Sequence, residues 1–150
     1  MQALKKSEIN DQAIGRSKGG LSTKINATCD ALGNPTGFHL TTGQAHDLEG
    51  SDALMDEIPD GSYVLADKAY DADERVRKKL KEKKCTAVIP PRSNRNNPAQ
   101  YDQEIYKDRH LIENFFAKIK QYRAIATRYD KTALNFLGAI YLAASVIWLN

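Results

Sequence analysis

Cysteine is scarce in this sequence. Cys29 and Cys85 stand alone with no Cys-x-x-Cys, and three scattered histidines (His39, His46, His110) show no zinc-ligand spacing. A structural zinc site is thereby excluded, and both thiols read as reduced and packed, as in a cytoplasmic protein. No apolar run reaches the roughly 20 residues that a membrane span needs. The longest, Ala133 to Leu149, has 17 residues and contains Asn135 and Gly138. It is expected to be a buried core helix, with no membrane partner. Met1 to Asn10 is polar and does not read as a secretory signal. No internal repeat and no second domain is legible, and 150 residues suit a single domain over 1–150 with a real core.

Charge of one sign is not in marked excess either, at a net +3, but it is segregated. Residues 26–74 hold eleven acids against one base, Lys68, whereas residues 75–131 hold sixteen bases against six acids. An acidic block beside basic blocks suits a metal-binding centre flanked by polyanion-binding surfaces. The plainer alternative is a set of solvated faces.

The apolar pattern supplies the elements. Leu21 to Ala31 alternates, with Leu21, Thr23, Ile25, Ala27, Cys29 and Ala31 on one side, and predicts a half-buried strand. Leu32-Gly33-Asn34-Pro35 is a turn signal, and Thr36 to Thr42 returns as the second strand of a hairpin. A helix between Asp47 and Glu57 follows. Tyr63 to Ala66 then reads as a short buried strand, Asp73 as the cap of a helix to about Lys84, and Ala87-Val88-Ile89 as a further strand. Strand, helix, strand implies a parallel pair with a right-handed crossover. Asp67 thus falls at the C-terminal end of a parallel strand, where open α/β sheets place their chemistry. Residues 92–100 are a polar loop expected to be mobile, with Arg92 and Arg95 set for phosphate contact. The expected whole is an α/β mixed sheet with helices packed on it.

Four residues near the C-terminus carry the sharpest pattern: Tyr106, Arg109, Glu113 and Lys120. Offsets of 3, 7 and 14 from Tyr106 put all four within an arc of roughly 60° on a helix. Leu111, Ile112, Phe115, Ile119 and Tyr122 centre on the opposite side. One face is buried, and the other offers a carboxylate flanked by two cations and a phenol. Taken alone, Glu113 is an i−4 ion pair with Arg109, and Asp67 is an aspartate capping the next turn. Taken together, two acids from a strand end and a later helix are hard oxygen ligands suited to Mg²⁺ and to two-metal phosphoryl transfer. Arg109 and Lys120 would then hold phosphate oxygens, and Tyr106 would stack on a base or bond a phosphate.

Several stretches resemble one family, the bacterial insertion-sequence transposases of the DDE class, specifically the insertion sequence five family. They are Asp11-Gln-Ala-Ile-Gly-Arg-Ser-Lys-Gly-Gly-Leu-Ser-Thr-Lys24, Gly43-Gln-Ala-His-Asp47, Ala66-Asp-Lys-Ala-Tyr-Asp71, Val88-Ile-Pro-Pro-Arg-Ser-Asn-Arg95 and Ile125-Ala-Thr-Arg-Tyr-Asp-Lys131. The family's Tyr-x₂-Arg-x₃-Glu-x₆-Lys signature falls on Tyr106, Arg109, Glu113 and Lys120. The resemblance implies an RNase H-like fold, with Asp67 and Glu113 as the second and third catalytic acids and as metal ligands. It implies Mg²⁺ or Mn²⁺ and double-stranded DNA (terminal inverted repeats and target DNA) as partners. Strand cleavage by water would be followed by attack of a 3′-hydroxyl on target DNA.

One element of that pattern is missing. The first acid belongs upstream of Gly15-Arg-Ser-Lys-Gly-Gly20, and Met1 to Asn10 offer only Glu8 and no strand. Asp11 and Asp30 are not credible substitutes. The chain is therefore expected to be a partial domain, the C-terminal catalytic part lacking the first strand, with residues 1–20 mobile and no appreciable activity alone. Its implied partner is an upstream transposase segment joined by frameshift fusion, and self-association as a homodimer is a further expectation. The competing reading is a non-catalytic DNA-binding or regulatory fragment. Gly15 to Thr23 is not a nucleotide-binding loop, because it lacks the Gly-x₄-Gly-Lys-Ser/Thr spacing; Arg16 and Lys18 are expected instead on DNA backbone.

Overall fold

The computed structural model describes residues 12–150, so expectations for Met1–Asn10 and Asp11 lie outside it. Strand β1 (Gly15–Ser17), β2 (Gly20–Cys29) and β3 (Pro35–Thr42) form an antiparallel sheet in that order. The stretch expected to be a mobile loop is thus partly a strand, with Gly15 paired to Ser22 and Ser17 to Gly20. Gly20, at φ +107, and the Lys18-Gly19 turn allow this tight reversal.

The expected β2–β3 hairpin is present, its register running from Thr23 opposite Thr42 to Thr28 opposite Gly37. Asp30 closes it: its carboxylate accepts the backbone N–H of Leu32 and of Asn34, both at 2.9 Å. The Asn34 amide, ahead of the other donors, holds this carboxyl below the usual range. The strand is not half-exposed as its alternation predicts. Asn26, on the polar side, is buried, and its amide donates to His39 O at 3.2 Å and Thr41 Oγ1 at 3.1 Å. Helix α1 (Asp47–Glu57) covers that side, coming close enough at Gly50 that a Cβ there would lie 2.1 Å from Asn26 Cγ. Both faces of the hairpin are therefore roofed.

β4 (Tyr63–Leu65) and β5 (Thr86–Val88) pair in parallel, Tyr63 to Thr86 and Leu65 to Val88. Their crossover is a π-helical turn over Asp73–Arg77 that runs into α2 (Lys78–Glu82). Val76 and Leu80 face inward as expected. Asp73 does not cap this helix. Ala72 holds the cap position without a side-chain bond, because the Asp73 carboxylate is drawn to Arg95 instead. The strands form two sheets rather than one mixed sheet.

The C-terminal third is helical: α3 (Gln103–Tyr106), a 3₁₀ turn (Lys107–Arg109), α4 (His110–Ile119), α5 (Arg123–Ala126) and α6 (Ala133–Leu149). The continuous helix expected through Tyr106 and Lys120 is broken at both ends, since the 3₁₀ turn changes its pitch and Lys120 lies one residue past α4. Phe115, Ile119, Phe136 and Ile140 join Phe38 in one core against the hairpin. Leu48, Met55, Val76, Leu80 and Ile89 form a second, around the parallel pair. None of the helices among the described residues is long and apolar enough to cross a membrane.

Candidate functional site

Between the two sheets runs a cleft of about 1020 Å³. One wall is β2 from Lys24 to Cys29, which pairs with β3 on one side and, over these residues, with no described strand on the other. The opposite wall is Tyr63 to Asp67, the side of β4 that does not meet β5. Leu54 and Met55 of α1 line one flank, and Ile105, Ile112 and Phe116 line the other. Among the described residues the cleft thus has two open backbone edges and two apolar flanks.

Asp67, Arg109 and Glu113 all line this cleft. Asp67 leaves β4 in an extended conformation and accepts the N–H of Ala69 at 2.8 Å, which caps the 3₁₀ turn Lys68–Tyr70. Arg109 donates to the Glu113 carboxylate one turn away and stands over the Tyr106 ring at 5.8 Å. Tyr101 meets that ring edge-on at 5.5 Å. Tyr106, Arg109 and Glu113 therefore form a linked row, while exposed Lys120 contributes nothing to the cleft lining. Arg16 and Lys18 are exposed at the β1–β2 tip, away from the cleft.

Two cleft residues carried no role in the sequence reading. Asp47, at the start of α1, is paired with Lys24 Nζ at 2.8 Å, and both line the cleft. Burial, followed by the charges of Asp47 and Asp67, pushes the Tyr70 phenol up. The motif Gly43-Gln-Ala-His-Asp47 was the available signal. Its His46 caps α1, its ring accepting from Leu48 N while Glu49 bonds back to His46 N.

The larger omission is Asp71. Its buried carboxylate takes the N–H of Arg92 at 2.8 Å, Arg77 Nε at 2.7 Å and an Arg95 nitrogen at 3.1 Å. Burial alone would raise this carboxyl; the Arg92 amide and the two guanidiniums outweigh it and hold it low. Arg77 also donates to Ile89 O at 2.9 Å, and the Arg92 side chain to Ala69 O at 2.7 Å and Lys68 O at 3.2 Å. The loop after β4, the crossover and the segment after β5 are knotted together, immediately beyond Asp67. Arg92 and Arg95 are thus engaged within the protein rather than free for phosphate, and the start of the 92–100 loop is tied down. Charge segregation in sequence resolves the same way, through pairs such as Arg75 and Lys79 with Asp52.

Carboxylate oxygens suit a divalent cation, but no group of three or more His, Cys, Asp or Glu among the described residues is placed to hold one. Asp67 and Glu113 by themselves are an incomplete ligand set.

Comparison with known proteins follows the same lines. The family described as "Transposase DDE domain" matches residues 5–148. A Brucella ovis protein, by name a presumptive transposase for insertion sequence element IS6501, is 38% identical over 130 residues, covering 87% of this chain and 100% of that protein. The transposase for insertion sequence element IS1106 of Neisseria meningitidis serogroup B is 30% identical over 129 residues. That match covers 83% of this chain but 42% of the relative, so the chain spans well under half of the longer protein. No solved structure matches.

Proposed function

The chain belongs to the transposase DDE domain family, and from that premise we propose that it is the C-terminal catalytic part of an insertion-sequence transposase of the insertion sequence five type, built on an RNase H-like fold. In this reading Asp67 and Glu113 are catalytic acids and metal ligands. Completed by an acid from an upstream segment, these two residues would hold Mg²⁺ or Mn²⁺, whose chemistry there is the activation of water or a 3′-hydroxyl for cleavage and strand transfer at terminal inverted repeats. Arg109 orients Glu113 through their ion pair, and Tyr106 buttresses Arg109. Lys120, Arg16 and Lys18 meet DNA backbone, while Arg92 and Arg95 act at one remove, holding the Asp67 loop through Asp71.

The observation that carries the reading is the cleft. Two strand edges that meet no further strand among the described residues face one space, roofed by apolar side chains on both flanks. An extended segment entering there would satisfy both edges, and alternate side chains would bury against Leu54 and Met55 or against Ile112 and Phe116. The proposed occupant is the first strand, carrying the first catalytic acid and supplied by an upstream transposase segment through frameshift fusion. All of 1–150 then forms one partial domain. Open edges are a pairing hazard, so the chain alone is expected to be inactive and less stable than the fusion.

The test is fusion to an upstream segment containing an aspartate-ended strand, assayed for Mg²⁺-dependent cleavage of inverted-repeat DNA. The fusion should cleave, the chain alone should not, and Glu113→Ala should abolish cleavage while leaving DNA binding nearly intact. Robust cleavage by the chain alone would sink the proposal. That no three acids among the described residues stand close enough to share one ion favours a second reading, a non-catalytic DNA-binding or regulatory fragment. In that case the fusion stays inactive, and the chain instead inhibits an intact transposase.

A further inference from the structure

Helix α6 turns one side into the core and leaves the other bare. Phe136, Ile140, Ala143 and Ala144 are buried, whereas Leu134, Tyr141, Leu142, Val146, Trp148 and Leu149 are between 41% and 86% exposed. No residue of the helix carries a charge. At roughly 150–250 Å² for a large side chain, this side presents several hundred Å² of apolar surface. That is more than a monomer ordinarily leaves uncovered, and it approaches the ~800 Å² per partner of a standard interface.

The order of side chains along this side identifies what fits it. About the midpoint between Tyr141 and Leu142, Leu134 mirrors Leu149 and Gly138 mirrors Ser145. Two such helices packed antiparallel about a two-fold axis set large residues against large and the two small ones against each other, which is the self-complementarity an isologous interface requires. Gly138 and Ser145 let the backbones approach. The Ser145 hydroxyl already donates to Tyr141 O at 2.8 Å, so it enters a dry seam satisfied. With no charge on the helix, pairing brings no like charges together. An unrelated partner would have no reason to match this reflection.

We propose that α6 is the seam of a homodimer in which the α6 helices of two copies pack antiparallel about an axis through Tyr141 and Leu142. The interface is independent of the cleft and of catalysis.

Sedimentation velocity on the 150-residue chain should show a concentration-dependent dimer. Leu142→Asp should weaken it at least about tenfold, with the circular dichroism spectrum unchanged because Leu142 is exposed. In a Cys29→Ser, Cys85→Ser background, chains carrying Leu134→Cys should form disulfides with chains carrying Leu149→Cys, and neither should do so alone. A monomer at about 100 µM, a dimer indifferent to Leu142→Asp (held then through the open strand edges), or cross-linking of Leu134→Cys with itself would each overturn the proposal.

Discussion

The Asp71 carboxylate sits 2.7 Å from Arg77 Nε, its side chain wholly buried and that of Arg77 16% exposed. This pair fixes the crossover against the loop that carries Asp67, so the position of a candidate catalytic acid depends on a residue that itself faces no substrate.

Asp71→Asn removes the charge, keeps the shape, leaves Arg77 without its counter-charge and leaves Arg95 with Asp73 alone. The expected loss is about 3 kcal/mol, read as a lower urea midpoint. The acid dependence has a definite sign. The folded state holds this carboxyl below its ordinary value, so its stabilisation is present above the unfolded pKa of about 3.9. It is lost as pH falls through the lower, folded value. The variant should therefore lose less stability than the parent between about pH 5 and pH 2; parallel curves would contradict the assignment.

Gly50→Ala should destabilise by about 2 kcal/mol through overpacking, since the new Cβ would sit 2.1 Å from Asn26 Cγ. Asn26 cannot swing away without giving up its bonds to His39 and Thr41. Thermal unfolding of Gly50→Ala in an Asn26→Ala background should reveal a coupling, with the second substitution costing less than it does alone.

Arg128 reaches back across the chain to Gln12 O at 2.7 Å and Ala13 O at 3.4 Å, bonds the Thr23 hydroxyl, and lies over Phe136 at 5.0 Å. Arg128→Ala should cost about 2 kcal/mol and expose the segment around Ala13 to limited proteolysis. Unchanged cleavage kinetics there would count against this anchoring.

Salt titrations of DNA binding should separate the two kinds of arginine. Arg16→Ala and Lys18→Ala should each lower the slope of log affinity against log salt by about 1 without affecting the melt. Arg92→Ala should instead lower the melting temperature, because its side chain is held by Lys68 and Ala69 carbonyls.

The hairpin, α1, the parallel pair and the position of α6 were legible because each rests on local signals (alternation, turn residues and apolar period), although α6, expected to be a buried core helix, buries only one side. What the sequence hid was contact between distant segments. Asn26 looked like a solvent-facing strand position because nothing nearby in sequence announces that α1 will cover it. Asp73 has the side chain of a helix cap, yet Arg95, 22 residues on, offers it a stronger partner. Tyr106, Arg109 and Glu113 do share a side, but periodicity could not foresee the 3₁₀ turn between them. Asp71 was visible only as the end of a motif, because the three arginines that bury it converge from separate segments.

The division of the apolar interior into two clusters, one on the hairpin and one on the parallel pair, bears on cooperativity. The cleft lies between them and α1 bridges them, so sub-global openings are expected to follow the cleft boundary. Amides of β3, bonded within the hairpin, should exchange with deuterium on a slower clock than those of β4, a three-residue strand with one partner. Occupation of the cleft would merge the two clocks into one.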